Sequence, residues 1–351
     1  MFRGHRGYNK NVNRKKAFEM KLIAFGVRKD EEPYFKNWEQ QNDVKIKLVP
    51  DLLSEENIDL IKGYDGIIGL QTTPYKREYF EKMKDAGIKI LSIRNIGIDN
   101  IDLDAAKDNQ IPITNVPAYS PSAIAEFTIT QIMQLIRHTK IFNEKMSHQD
   151  YRWEPNISRQ INQMTVGVAG TGRIGRAVIN LLNGLGTKII AFDPYHNPEL
   201  EKRGMYVDSM EAMYRKADVI TLHMPATKDN YHLLDAAAFS QMKDGVMIIN
   251  TARGTLIDSE ALIKALDSGK VGGAALDTYE HELPIFDHDL TGQKIDDPIF
   301  NNLNERNNVL ITPHIAFYTT EAVKNMVEVA LNCATTYLND GKMTNPVVEI
   351  D

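Results

Sequence analysis

Cysteine is nearly absent: Cys333 is the only one in 351 residues. It lies in the helical pattern VEVALNCATTYL, where a lone thiol behaves as a small buried apolar group. An intrachain disulfide and a cysteine-based metal cluster are therefore excluded. No run of about 18 apolar residues occurs, so no helix is expected to span a membrane. The histidines lack H-E-x-x-H spacing, and His281 and His288 share a loop with Asp287 and Asp289 that reads as solvated; no metal is expected. A basic excess is confined to the N-terminus. Residues 1–19 hold Arg3, Arg6, Lys10, Arg14, Lys15 and Lys16 against Glu19 alone, a net of +5 within a total of −6, so the remainder carries −11. Such an acidic body lacks the basic stripe of a nucleic-acid groove. The leader has no apolar core of roughly 7–15 residues, so it is not a secretory signal. It is expected to be a disordered extension, with Met20 opening the first strand and the chain residing in the cytoplasm.

Glycine, by contrast, is concentrated where it matters. The segment TVGVAGTGRIGRAVINLLNGLGTKIIAFD, 165–193, reads as strand, glycine turn, helix, strand and acid. Gly170, Gly172 and Gly175 stand at G-x-G-x-x-G spacing, residues 173–185 carry apolar positions at helical intervals, and Asp193 closes the second strand 18 residues beyond Gly175. The glycines serve a tight turn, close approach of a pyrophosphate to backbone N–H groups, and near contact of helix and strand. The helix N-terminus adds amides and a positive dipole end. A bare motif recurs by chance, but the complete β-α-β-acid unit predicts dinucleotide binding.

Strand and helix patterns alternate ahead of this unit. Strands are expected at 21–27, 44–49, 66–70, 88–93 and 111–116, with helices at 31–41, from Ser54, at 76–85 and near Asp104. Repetition of this kind predicts a parallel sheet covered on both faces, complete before residue 120. Residues 120–146 read as one long helix with an apolar stripe through Ile124, Phe127, Ile132, Leu135 and Ile136; core packing and a homodimer interface suit it equally. Further strands follow at 218–224, 245–252, 271–278 and 308–315, and a last helix at 319–338. That helix starts after the last strand of the second domain, so the first domain is expected to be discontinuous. The expected organisation is a leader 1–19, one domain from 20–118 with 318–351, and a second at 119–317.

In open parallel sheets, ligands sit beyond the carboxyl ends of the strands. Arg253 follows one such end, Asp277, Tyr279, Glu280 and Glu282 a second, and Pro313 and His314 a third. Hydride transfer to C2 of a 2-keto acid leaves an alkoxide that needs a proton, which histidine supplies near neutrality. A carboxylate beside it favours imidazolium, and an arginine fork suits the substrate carboxylate. Singly, each residue is as well explained by ordinary surface pairing. His223, at another strand end, is a candidate for lining the cofactor cleft.

The segments RNIGIDNIDLDAA, NVPAYSPSAIAEF, GTGRIGRA, FDPY, NTARGTLID, ALDTYEHE and ITPHIAFYT, spread from Met20 onward, resemble the D-2-hydroxyacid dehydrogenase family, in the branch of D-lactate and D-2-hydroxyisocaproate dehydrogenases. The resemblance implies an α/β chain of two doubly wound parallel-sheet domains, a flavodoxin-like substrate domain and a Rossmann NAD domain, with the active-site cleft between them. It implies NAD as cofactor and a 2-keto acid / D-2-hydroxy acid pair as substrates. Pyruvate and D-lactate come first, with 2-ketoisocaproate or phenylpyruvate as alternatives, and an NADH-sensing corepressor-like protein as the rival from another class. By that resemblance, Arg253 would bind the substrate carboxylate and carbonyl, Glu282 would hold His314 as acid/base, and Asp277 would lie near the nicotinamide. Backbone amides of Ile96 and Gly97 would hold the carboxylate, and Tyr119 and Phe317 would wall the pocket. Arg173 and Ile174, within the Gly170–Gly175 turn, would meet the pyrophosphate and Asp193 the ribose; Met224, Pro225, Asn230, Thr251 and Ala252 would line the cofactor cleft. Leu70 departs from the pattern, standing where similar lactate enzymes often carry an aromatic.

Overall fold

The computed structural model describes residues 20–70 and 72–350; the basic leader lies outside them. Two compact units result, one running through Pro117 and resuming at Lys324, the other Ala118–Val323.

In the first unit, β1 (Lys21–Ala24), β2 (Lys45–Leu48), β3 (Gly66–Gly69), β4 (Ile90–Ile93) and β5 (Ile113–Thr114) form a parallel sheet in the order β2-β1-β3-β4-β5. That is the flavodoxin-like order. Leu22, Ile23, Ile67, Ile68, Ile90, Leu91 and Ile93 are all fully buried, as a parallel sheet covered on both faces requires. The helices are α1 (Glu32–Asn42), α2 (Arg77–Asp85), α3 (Leu103–Asp108) and the long α12 (Thr320–Asp340). The Ser92 hydroxyl donates to the Ala330 carbonyl (2.8 Å) and the Trp38 indole N–H to Asn332 Oδ1 (2.9 Å), which anchors α12 to this unit. Its edge strand β2 exposes Lys45 and Lys47 in alternation, a charged edge that resists further strand pairing.

Two sequence expectations fail here. The sheet is not complete before residue 120, because β12 (Pro346–Val348) joins β5 antiparallel. Three residues opening on proline carry too little periodicity to read as a strand, though proline is tolerated at a sheet edge. Nor does a helix start at Ser54; a single tight turn spans Ile58–Ile61. Asn57 Oδ1 accepts from the Ser54 N–H (2.9 Å) and its Nδ2 donates to the Leu52 carbonyl (2.7 Å), bonds outside the helical ladder, and the backbone turns extended at Lys62 (ψ 126°), which ends the turn.

In the second unit, β6 (Thr165–Ala169), β7 (Lys188–Phe192), β8 (Val219–Leu222), β9 (Val246–Asn250), β10 (Val271–Leu276) and β11 (Val309–Ile311) lie parallel in the order β11-β10-β9-β8-β6-β7. Residues 205–207 add a parallel bridge outside β7 through Tyr206 and Ala191. Counted as a third strand, it gives the Rossmann order 3-2-1-4-5-6, with β11 as a seventh strand at the far edge. Alternation along the strands divides the core. Ile220, Leu222, Ile248 and Leu276 face one side, packed with α8 (Met210–Lys216), α9 (Ala236–Gln241), α10 (Ser259–Asp267) and α11 (Pro298–Glu305). Val166, Val168, Val219 and Ile249 face the other, with α4 (Pro121–Ile136) and α6 (Arg173–Gly184).

The 120–146 stretch is two helices rather than one. Ser120 caps α4, its hydroxyl accepting from the Ala123 N–H at 3.1 Å. The apolar stripe ends at Ile136, His138 takes a left-handed φ of 53°, and α5 (Thr139–Ser147) then runs on with no buried residue. A short helix α7 (Pro198–Lys202) follows β7.

Candidate active site

The glycine turn between β6 and α6 is built as the sequence spacing suggests. Gly170 has φ +93°, and a Cβ there would lie 2.5 Å from the His223 carbonyl oxygen. A Cβ on Gly175 would overlap the Gly170 carbonyl, so helix and strand meet only through glycine. Gly172 differs: among the described residues nothing stands within 4 Å of its Cβ position, and no side chain caps α6. Open space against uncapped helix amides fits a dinucleotide pyrophosphate. Arg173 is exposed and Ile174 half-buried in the first turn of α6. At the end of β7, Asp193 Oδ2 accepts from the Thr171 N–H (2.6 Å) and hydroxyl (3.2 Å), while Oδ1 accepts from the Tyr195 N–H (2.9 Å).

Beyond β8 come His223, Met224 and Pro225. His223 Nε2 pairs with the Thr221 hydroxyl at 2.9 Å, but Nδ1 is shut off from solvent with no partner among the described residues. Burial pushes this imidazole down to about 3, so it is neutral at ordinary pH. Asn230 closes its own turn, accepting from the Thr227 N–H (2.7 Å) and donating to the Pro225 carbonyl (2.8 Å). Thr251 and Ala252 are buried after β9, with the Thr251 hydroxyl 3.1 Å from that of Thr128 on α4.

The ends of β9, β10 and β11 assemble a charged cluster. Gly254 lies against the Tyr279–Glu280 peptide so closely that a Cβ would overlap it; this brings the Arg253 loop against the one carrying Glu282. Glu282 Oε1 lies 2.8 Å from His314 Nδ1, and Oε2 accepts from the Tyr279 N–H at 2.9 Å. With Glu282 ionised, Nδ1 must donate, and Nε2 is the nitrogen left for chemistry. His314 sits at φ +55°, a turn conformation uncommon outside glycine. Asp277 holds that turn: Oδ1 accepts from the Thr312 hydroxyl (2.6 Å) and the Ile315 N–H (3.0 Å), Oδ2 from the Ala316 N–H (2.8 Å). Behind Thr312 stands Gln131 of α4, donating at 3.2 Å.

The electrostatics follow. Burial pulls His314 down, but the hydrogen bond and charge of Glu282 and the charge of Asp277 outweigh it and leave its pKa above the ordinary histidine value; Arg253 opposes them. Burial raises Asp277 despite its three donors. Tyr119, coupled to Arg253, is pushed up to about 12, chiefly by burial, and so stays a neutral phenol. Its ring meets Phe317 edge-on at 5.8 Å. Asn250 fixes the Arg253 backbone, donating to its carbonyl at 2.8 Å.

Leu70, Ile96 and Gly97 belong to the first unit. Leu70, 6 % exposed, lies just beyond β3 against Gly26. Asn115 and Asn95 donate to the Ile96 and Gly97 carbonyls at 2.8 and 3.3 Å, which orients the 96–97 and 97–98 peptides, the first carrying the Gly97 N–H. Beneath them is a buried ion pair that the sequence did not disclose. Arg94 donates through Nε and Nη2 to the two Glu31 oxygens, each at 3.1 Å, and also to the Phe25 and Gly26 carbonyls. Sequence reading also missed Thr312, Gly254, Thr171 and Tyr206, since nothing in their spacing marks them; the first three lie inside the TPH, TARG and GTGRIGRA segments but were given no role.

The model of the D-isomer specific 2-hydroxyacid dehydrogenase NAD binding domain matches residues 129–316. A D-lactate dehydrogenase of Lactiplantibacillus plantarum is 58% identical over 329 residues, 93% of this chain and 99% of that protein. A D-lactate/D-glycerate dehydrogenase of Pediococcus acidilactici is 59% identical over 313 residues, 89% and 95% of the two chains. The crystal structure of a D-lactate dehydrogenase from Treponema pallidum superposes with a TM-score of 0.85 at 39% identity, covering 94% of this chain and all of that one. The chain belongs to the D-isomer specific 2-hydroxyacid dehydrogenase family. It is an NAD-dependent oxidoreductase.

Proposed function

We propose that this enzyme interconverts pyruvate and D-lactate, with His314 as the group that gives and takes the proton. The carrying observation is the 2.8 Å His314–Glu282 pair beside the Arg253 loop. NADH, when bound, supplies the hydride received at C2 of the keto acid. Arg253 binds the substrate carboxylate and draws charge from the adjacent carbonyl. His314 Nε2–H protonates the developing alkoxide, and Glu282 stabilises the imidazolium beforehand and keeps the ring oriented. Asp277 holds the turn that aims the imidazole. Tyr119 and Phe317 exclude water on this side, while Leu70 and the Ile96 and Gly97 amides are the proposed substrate contacts on the first unit. For the cofactor, Gly170, Gly172, Arg173, Ile174 and Gly175 form the phosphate turn, Asp193 receives the ribose, and Met224, Pro225, Asn230, Thr251 and Ala252 line the remainder. Names of relatives that carry D-lactate support pyruvate over larger keto acids. No helix among the described residues is long and apolar enough to cross a membrane. A cytoplasmic homodimer formed through the 120–146 region completes the proposal.

The test is NADH loss with pyruvate, hydroxypyruvate, 2-ketoisocaproate and phenylpyruvate. The highest kcat/KM is expected with pyruvate, and the product is D-lactate. Tight NADH binding with turnover of none of them would favour a sensor. His314→Ala should lower kcat by about 10²–10⁴-fold with NADH affinity unchanged; a pure variant that keeps most of its kcat would remove His314 from the proton's path.

A further inference from the structure

Asp193 does not stand alone at the end of β7. Its Oδ2 takes both the N–H and the hydroxyl of Thr171, and Thr171 is 2 % exposed. The Thr171 oxygen lies 2.8 Å from the Tyr206 hydroxyl, and that hydroxyl accepts from the Asn197 N–H at 2.8 Å. Direction follows from donor counting. A carboxylate only accepts, so the Thr171 proton points to Asp193; the Tyr206 proton must then point to Thr171. The result is one chain of donors, Asn197 N–H to Tyr206 to Thr171 to Asp193, of the kind in which each bond polarises the next.

Backbone and ring packing fix the chain's far end. Residues 205–207 are laced to β7 by Ala191, which donates to the Met205 carbonyl at 2.8 Å and accepts from the Val207 N–H at 2.9 Å. The His196 ring stacks on Tyr206, centroids 4.0 Å apart and planes 3° from parallel. Among the described residues, Asp193 Oδ1 has a single donor, the Tyr195 N–H at 2.9 Å. Of about four acceptor directions on a carboxylate, Oδ2 has used two and Oδ1 one. One remains, on Oδ1.

We infer that Tyr206, acting through Thr171, is a positioning residue for NAD over NADP: it locks the Asp193 carboxylate so that Oδ1 alone meets the adenosine ribose. This rests on Asp193 being the ribose partner. A locked carboxylate accepts a ribose hydroxyl at no cost in side-chain ordering and cannot swing away from a 2′-phosphate. Freed from the chain, it would hold the hydroxyl less well and yield to the phosphate, so preference falls from both sides.

The measurement is the Kd of NADH and of NADPH, by fluorescence titration without substrate, for the full chain and four variants. Tyr206→Phe keeps the ring against His196 and removes the hydroxyl. It should lower the ratio Kd(NADPH)/Kd(NADH) by about 2- to 10-fold, the worth of one net hydrogen bond, mainly by weakening NADH. Thr171→Val should lower it further, and Thr171→Ser, which keeps the hydroxyl, should restore it. A merely structural role for Tyr206 would weaken both dinucleotides alike, so an unchanged ratio in a folded Tyr206→Phe protein overturns the inference. If that variant does not fold, equal ratios for Thr171→Val and Thr171→Ser overturn it instead. Asp193→Asn separates the two levels. A ratio unmoved by Asp193→Asn sinks the ribose assignment itself; one that falls there but not in Tyr206→Phe sinks only the positioning chain.

Discussion

Replacing Glu282 with Gln keeps the shape of the side chain and removes one acceptor. Both carboxylate oxygens are in use, Oε1 toward His314 Nδ1 at 2.8 Å and Oε2 toward the Tyr279 N–H at 2.9 Å. An amide has one acceptor and one donor to offer. With its oxygen toward His314, its NH2 meets the Tyr279 N–H donor to donor, at about 1–3 kcal/mol for the unpaired group. With its oxygen toward Tyr279, its NH2 donates to Nδ1 and traps the ring neutral, proton on Nε2. The first orientation should lower Tm by about 2–10 °C in a domain of this size. Either one removes the charge that, with Asp277, outweighs burial and holds His314 above its ordinary pKa. Reduction needs imidazolium, so it is present below the His314 pKa and lost as pH rises through it. In the variant that loss begins at lower pH. At a fixed alkaline pH, each unit of displacement is a factor of about ten in the protonated fraction, bounded by the whole worth of a positioned acid, about 10²–10⁴ in kcat. Oxidation needs neutral imidazole with Nε2 open and should persist to lower pH, provided the amide oxygen faces His314. Initial rates of pyruvate reduction and D-lactate oxidation across the neutral and alkaline range test this. Two profiles that coincide with wild type would refute the pairing as the source of the shift.

Arg253→Lys should raise KM for pyruvate and also reduce kcat, because an ammonium lacks the two-pronged geometry; wild-type kinetics would place the carboxylate elsewhere. Leu70→Tyr should lower the ratio of kcat/KM for 2-ketoisocaproate over pyruvate, methylene discrimination in such pockets staying within about 1–3 kcal/mol. An unmoved ratio in a stably folded variant would show that Leu70 does not set substrate size. His223, pushed down to about 3 by burial, is protonated in the unfolded chain before the folded one. Its contribution to stability is therefore present above its ordinary value and lost as pH falls below it. Between pH 7 and pH 5 this amounts to about 2 kcal/mol. Urea unfolding at both pH values should show a smaller acid loss in His223→Gln; equal losses would mean that another group is responsible.

What the sequence disclosed and what it withheld divide by range. The glycine turn is legible because its constraint is local: Gly170 and Gly175 are required by atoms within one β-α unit and the neighbouring strand end. Arg253, Glu282 and His314 are legible as strand-end residues because a parallel sheet gathers such ends on one edge. The misreadings are local in another sense. One residue, His138 in the left-handed region, breaks the single helix expected over 120–146, just after the apolar stripe ends at Ile136. The helix signal at Ser54 yields only one turn, because the backbone turns extended at Lys62 directly after Ile58–Ile61. The strand β12 has three residues, too few for an alternation of period two to announce it.

Asp277 shows the limit most clearly. The family resemblance implied a place near the nicotinamide, but no sequence pattern disclosed its partners: its oxygens take the Thr312 hydroxyl and the Ile315 and Ala316 amides, 35 to 39 residues away. Two carboxylates therefore serve one histidine by different means. Asp277, 1 % exposed and surrounded by donors, fixes where the His314 turn lies. Glu282, whose side chain is 23% exposed, bonds the ring itself and responds to the imidazole's protonation. A buried carboxylate with three committed donors is suited to geometry, because moving it would strand N–H groups. A partly solvated one is suited to the proton, because water softens the cost of each change of charge on its partner.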